Sequence, residues 1–237
     1  MDSGRQTLQD MNTCEIIRSD SIPEPPKWVP EDHAIASHFG KSVIYSRYKV
    51  QLAKLLSALL PGRGPLSILD VGAGDGLLGA FFQKYRPDTN VTGIETFVRT
   101  ANPPIPLLKY DGANLPFESA SWDVILFSNV LHHTANQEKL LMAAAGVSRR
   151  QILIKDHIYR SAIGRAKLAF LDLCGNYRFG VATTFHYLTA NQWQQLFARA
   201  ELNTVYQYNR QPFRKGLLAL LFANDLEVIF DIHLENR

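Results

Sequence analysis

A doubly wound α/β sheet is the fold this sequence predicts: seven strands, five parallel and then an antiparallel pair, with helices on both faces. Three observations predict it. Short, nearly continuous apolar runs alternate with helix-periodic stretches from residue 42 to residue 155, as strands buried on both faces require. A glycine-rich turn follows the first of these runs and opens a helix. The last two strand-like segments instead alternate apolar with polar residues, the pattern of a half-solvated antiparallel pair.

The elements follow in order. Residues 1–30 are polar and then Pro-rich, ending Ile22-Pro-Glu-Pro-Pro-Lys-Trp-Val-Pro30. Proline lacks an amide donor and opposes both helix and central strand, so a poorly ordered arm is expected, docked in part by Trp28. A single domain is expected over 31–237. Over 42–60, Val43, Ile44, Val50, Leu52, Ala53, Leu55, Leu56 and Leu59 recur at helical spacing until Pro61-Gly62 stops the helix. Strands are expected at 66–71, 90–95, 106–110, 122–128 and 151–155, with helices at 77–85 and 137–145. The runs at 66–71 and 122–128 are the most uniformly apolar, which places them centrally. A helix at 189–200 has Thr189 as its N-cap and Trp193, Leu196 and Phe197 on its inner face, and strands at 203–208 and 227–234 complete the sheet. The excursion at 156–188, with a helical piece at 163–173, has the length of a lid or binding loop. Its Ile163, Ala166, Phe170 and Leu173 share one stripe, which suits a lid's core or contact with a substrate.

Composition excludes several classes. With 46% hydrophobic and 20% charged residues, the chain has the means to form a core and lacks the signature of disorder. Two cysteines, Cys14 and Cys174, exclude a disulfide framework, and no CxxC is present, so a reducing, cytoplasmic compartment is expected. The apolar run at 216–223 falls far short of the ~18 residues of a membrane span. The N-terminus lacks a basic start followed by an apolar run, so no signal peptide is expected. A net charge of +3 with scattered basic residues gives nucleic acid little support as a partner.

The chemistry is concentrated in Ile68-Leu-Asp-Val-Gly-Ala-Gly-Asp-Gly76. Glycines let the backbone turn sharply and approach a ligand, and the following helix offers unpaired amides. A dinucleotide fingerprint, GxGxxG, needs its third glycine where Leu77 stands. Asp70 would repel a pyrophosphate but suits a cationic amine and sulfonium. The segment resembles motif I of class I S-adenosylmethionine-dependent methyltransferases, an acidic residue followed by GxGxG. The resemblance continues in register. Glu95 ends the second strand, where that family keeps an acid for the ribose hydroxyls. Asp111-Gly112 and then Leu115-Pro-Phe117 resemble its turn around the adenine. Trp122-Asp123 followed by Val130-Leu-His-His133 resembles its fourth-strand motif. The likeness runs from Ser42 to the C-terminus. It implies a Rossmann-like fold, S-adenosylmethionine as donor and S-adenosylhomocysteine as product. The cofactor set it implies is Asp70, Gly72, Ala73, Gly74, Glu95, Thr96, Asp111, Gly112 and Asn129.

The methyl acceptor is expected above the carboxyl ends of the fourth and fifth strands, where Asn129, His132, His133, Asp156 and His157 are candidates. In an extended or turning segment the adjacent His132 and His133 diverge, with His133 facing the acceptor. His157 follows the fifth strand and can deprotonate a hydroxyl near neutral pH; the plainer reading is a hydrogen-bonded loop histidine. Metal-dependent catechol methyltransferases cluster carboxylates at these strand ends, where this chain has Ser128-Asn129, so no metal site is expected. Tyr45, Arg47 and Tyr48 lie on the helix before motif I, where similar enzymes close over the methionine moiety. Ser128-Asn-Val-Leu131 lacks the Pro-Pro-aromatic signature of DNA amino-methylation. The leading expectation is therefore methyl transfer to a small, hydrophobic or aromatic acceptor. The alternatives are a catalytically silent S-adenosylmethionine-binding partner subunit and a nicotinamide-dependent oxidoreductase, the latter disfavoured by Leu77 and Asp70.

Overall fold

The computed structural model describes residues 14–19, 21–40, 43–62, 64–98, 100–176, 184–209 and 224–234, with backbone only over 43–47, 174–176 and 224. In chain order the elements are β1 (Glu15–Ser19), α1 (Asp32–Phe39), α2 (Val43–Leu59), β2 (Leu66–Val71), α3 (Leu77–Tyr85), β3 (Thr89–Glu95), β4 (Leu107–Lys109), β5 (Trp122–Ser128), α4 (Gln137–Val147), β6 (Ser148–His157), α5 (Ala162–Asn176), α6 (Ala190–Arg199), β7 (Thr204–Asn209) and β8 (Glu227–His233).

One sheet runs in the order β1-β7-β8-β6-β5-β2-β3-β4. The strands from β6 to β4 pair in parallel. β8 is antiparallel to both β6 and β7. Alternation along β5 feeds two cores. Ile125 and Phe127 join Leu69, Ile154, Leu140, Trp193 and Phe197 on one face. Val124 and Leu126 join Ile68, Leu153, Leu52, Leu56 and Phe81 on the other. Trp193, Phe197 and Phe230 pack ring against ring with centroids 4.9 to 5.4 Å apart, so truncating one of them costs about 3–5 kcal/mol. Thr189 caps α6 in a reciprocal capping box with Gln192.

Among the described residues the sheet has eight strands rather than seven. The extra one, β1, lies inside the arm expected to be poorly ordered and pairs in parallel with β7, Glu15 opposite Thr204. The alternating pattern of β7 left its outer edge needing hydrogen-bond partners, and five residues of the arm supply them. Trp28 packs against the α1–α2 core. Helix α1 was also unanticipated; it buries Ile35 and Phe39 and ends at Gly40. β6 is longer than expected at both ends: Ser148 pairs with Trp122 of β5 at its start, and β8 supplies a partner through His157 at its end. No helix among the described residues is long and apolar enough to cross a membrane.

Sequence order reverses at β2, whose neighbours are β3 and β5. A crevice therefore opens beyond the carboxyl ends of these strands, where ligands bind in open α/β sheets.

Candidate active site

The glycine turn leaves β2 into that crevice. Gly72, Gly74 and Gly76 all have positive φ, between 61° and 74°. At Gly72 a Cβ would lie 2.6 Å from Val130 Cγ2, whereas at Gly74 it would meet nothing within 4 Å. The first glycine is thus demanded by packing, and the second leaves backbone open to a ligand. The Gly72 and Ala73 amides donate to the Ile94 carbonyl at 2.8 and 3.2 Å, pinning the turn to β3. Ala73 also explains Gly93, where a Cβ would come within 2.7 Å of the alanine methyl.

Asp70 is buried, and its Oδ2 has no hydrogen-bond partner among the described residues. Burial pushes its carboxyl up to about 7; Lys49 opposes this, while Glu95 and Asp75 add to it. Glu95 Oε2 accepts from the Gly74 amide at 2.9 Å. Glu95 Oε1 accepts from the Thr96 amide at 2.8 Å and its hydroxyl at 3.2 Å. Asp111 is held in its own turn, accepting from the amides of Ala113 and Asn114 and from the Asn114 side chain. These bonds hold its carboxyl down to about 2. Gly112, at φ 85°, brings this turn against Thr96, whose Cγ2 would be 3.1 Å from a Cβ there. Asp70, Glu95, Thr96 and the glycine turn therefore gather on one side of the crevice. Asn129, at φ 60°, instead accepts from the Lys155 ammonium and donates to the Tyr48 hydroxyl at 3.3 Å, which puts its side chain with the neighbouring polar cluster. Tyr45 and Arg47 fall outside the described side chains.

This second cluster lies at the ends of β5 and β6. Lys155 is fully buried and ion-paired with Glu227. Burial disfavours its charge, but Glu227 outweighs this and holds the ammonium above its ordinary range. His157, predicted as a base, stands at the carboxyl end of β6 with Nδ1 3.4 Å from Glu227 Oε2. Burial pushes it down to about 4 against the pull of Glu227, so the imidazole is neutral. Its ring meets that of His132 edge-on at 4.8 Å.

His132 and His133 do not diverge. Residues Leu131–His133 form a 3-10 turn, their rings lie 4.0 Å apart, and both Nε2 atoms turn toward Asp172 on α5. His132 Nδ1 lies 2.6 Å from Asp156 Oδ1. Burial opposes charge on both, but mutual attraction holds His132 above and Asp156 below their ordinary ranges. His133, 19% exposed, is lowered by burial and by His132. Asp172, Lys155 and Glu227 were missed in the sequence; the signal for the latter two is a charge inside an apolar strand. Among the described side chains of α5 the buried apolar one is Leu168, packed with Tyr187 and Leu226. Ile163, Phe170 and Leu173 are 73%, 65% and 51% exposed, so their stripe is not the core of a lid.

The residues present fit S-adenosylmethionine. The orphaned buried Asp70 oxygen suits a cationic amine, the open backbone at Gly74 admits close approach, and Glu95 Oε2, which accepts only from Gly74, keeps a lone pair for a hydroxyl. The comparisons agree. The family described as a methyltransferase domain matches residues 45–207. Methyltransferase str2 of Strobilurus tenacellus is 36% identical over 81 residues, covering 32% of this chain and 30% of that protein. An uncharacterised methyltransferase of Mycobacterium tuberculosis is 32% identical over 99 residues, 39% of this chain and 50% of that one. The chain thus matches half or less of the length of these curated relatives. The S-adenosylmethionine-dependent methyltransferase of Mesorhizobium loti shares the fold, with a TM-score of 0.55 at 15% identity over 76% of this chain and 95% of that one. The chain belongs to the class I S-adenosylmethionine-dependent methyltransferases, and S-adenosylmethionine is its cofactor.

Proposed function

We propose that this chain methylates a small, hydrophobic or aromatic acceptor by in-line displacement. The observation that carries the reading is the adjacency of two unlike clusters at the carboxyl ends of the central strands. One is the donor side of Asp70, the glycine turn and Glu95. The other is the patch of half-buried Tyr48, Asn129 and His157 around the buried Lys155, beside which Ile158 and Leu188 are joined by a bridge.

When bound, S-adenosylmethionine supplies an electrophilic methyl group on a sulfonium. The glycine turn offers backbone to it, Glu95 accepts from the ribose hydroxyls, and Asp70 faces the cationic end. Thr96, Asp111 and Gly112 shape the adenine side. For a hydroxyl acceptor, His157 takes the proton at a ring nitrogen as the new bond to carbon forms, and the Glu227 carboxylate beside it steadies the resulting charge. For an amine or carbon nucleophile the chain needs only to orient the acceptor.

The test is release of S-adenosylhomocysteine from the full chain incubated with S-adenosylmethionine and panels of phenols, amines and carbon acids, run beside protein and RNA acceptors. Turnover confined to small apolar acceptors supports the reading; turnover confined to protein or RNA overturns it. With a hydroxyl acceptor, His157→Ala should lower turnover ~10²–10⁴-fold, the usual contribution of a positioned acid–base group, with cofactor affinity kept. Unchanged turnover removes His157 from proton transfer and leaves the donor site untouched.

A further inference from the structure

We propose that His132 Nε2, His133 Nε2 and Asp172 Oδ1 form a site for one divalent cation of the zinc type, clipping helix α5 to the turn that follows β5. The two ring nitrogens lie 3.8 and 3.6 Å from the same carboxylate oxygen, and each of the three residues offers a ligand atom within 4.8 Å of one from each of the others. That is too long for hydrogen bonds, which close at about 2.7–3.2 Å. It is near the separation of co-ligands: zinc bonds of about 2.0–2.2 Å in a tetrahedron put ligand atoms roughly 3.3–3.6 Å apart.

Two of the three ligands are already oriented from behind. His132 presents Nδ1 to Asp156 at 2.6 Å, which keeps a proton on Nδ1 and aims Nε2 at Asp172; a cation bound there displaces the second proton from the ring. This carboxylate–histidine arrangement is the usual support of a metal-bound imidazole. Tyr187 donates its hydroxyl to Asp172 Oδ2 at 2.8 Å, and Oδ1 is the oxygen that faces both rings. Asp156, His132 and His157 also lie within ligand distance of one another. The Asp156 oxygens, however, are taken up by the amides of Leu131, His132 and His157 as well as by the His132 ring. Asp156 is therefore the orienting group and not a ligand.

Charge and ligand type choose the ion. Two buried or nearly buried carboxylates, Asp156 and Asp172, face this spot with side-chain exposures of 0% and 8%. Two imidazoles with one carboxylate suit zinc and its neighbours, whereas magnesium requires oxygen ligands. The three protein ligands leave one tetrahedral position open. A filled site ties together two segments that are distant in the chain, at the border of the proposed acceptor side.

The experiment uses the full chain, stripped with a chelator and titrated with Zn²⁺ alone by calorimetry, with Co²⁺ absorption as a readout of geometry. One equivalent of Zn²⁺ per chain is expected, together with a visible Co²⁺ band, a higher melting temperature on loading and no comparable binding of Mg²⁺. His133→Asn and Asp172→Asn should each abolish the Co²⁺ band and weaken Zn²⁺ binding at least about tenfold, and Asp156→Asn should weaken it roughly 10–100-fold. His133 is partly exposed, so its variant folds and keeps the test readable if the buried ones do not. Equal Zn²⁺ affinity in the native chain and His133→Asn overturns the site. So does the absence of stoichiometric binding, which leaves the cluster holding only a proton on His132. S-adenosylmethionine binding in the same samples reports the donor site separately.

Discussion

The Glu95 carboxylate accepts a hydrogen bond from the Gly74 amide at 2.9 Å, joining the end of β3 to the turn after β2. A single acid thereby shapes the glycine turn and, in the proposed function, also receives the ribose. Glu95→Ala should weaken binding of S-adenosylmethionine and S-adenosylhomocysteine by about 1–3 kcal/mol through lost charge-assisted hydrogen bonds. Glu95→Gln, which keeps one acceptor oxygen, should lose less. Calorimetry with both ligands decides it, and unchanged affinity in Glu95→Ala removes Glu95 from the ribose site.

Asp70 sets a pH dependence. Burial raises its carboxyl to about 7 in the free protein, and a cationic ligand favours the ionised form. Below pH 7 binding must therefore expel a proton. Affinity should rise from pH 5.5 to 7 and level off above, with a slope of up to about one decade per pH unit. The sign for stability is opposite. The folded state holds this proton more tightly than the unfolded state does, so the Asp70 contribution is fully present below about pH 4 and is lost as pH rises through 7. Affinity that stays level across this range, or an Asp70→Asn variant that keeps the slope, would remove Asp70 from the cationic end.

The two glycines of the turn should fail differently. Gly72→Ala sets a methyl 2.6 Å from Val130 at φ 70°, combining a clash with a backbone conformation that costs a non-glycine residue about 1–2 kcal/mol. Its melting temperature should fall markedly. Gly74→Ala has open space around it and should lose only the backbone cost while blocking the cofactor's approach. Thermal melts and cofactor titrations of the pair separate packing from binding; equal loss of stability in both variants contradicts the assignment.

Lys155 and Glu227 predict a stability cycle. Their side chains are 0% and 6% exposed. Glu227→Leu strands a buried ammonium and should cost about 3–5 kcal/mol, whereas Lys155→Met with Glu227→Leu should recover most of that loss. Denaturant unfolding of the two singles and the double checks it. A double variant as unstable as the worse single would show that the pair is not the unit.

The donor half of the site was legible because it is local. Strand, glycine turn and helix succeed one another within residues 66–85, and the chirality of the backbone makes glycine at positive φ readable without a partner. Apolar continuity likewise marked β2 and β5 as interior. The other half depended on contacts between distant segments. Periodicity states that β7 has a bare edge but not that Glu15–Ser19 will cover it. Lys155 reads as an interruption of an apolar strand until β8 brings Glu227 beside it. The adjacency of His132 and His133 suggested divergence, because an extended chain alternates its side chains. The 3-10 turn and the carboxylate of Asp172, delivered by helix α5 within the excursion, turned both rings the same way. Sequence by itself determined the fold class, since backbone conformation and burial pattern are properties of short segments, and its resemblance to the methyltransferases implied the cofactor. Tertiary structure decided which charges meet, because burial makes an unpaired charge costly and only the packed sheet shows which partner is within reach.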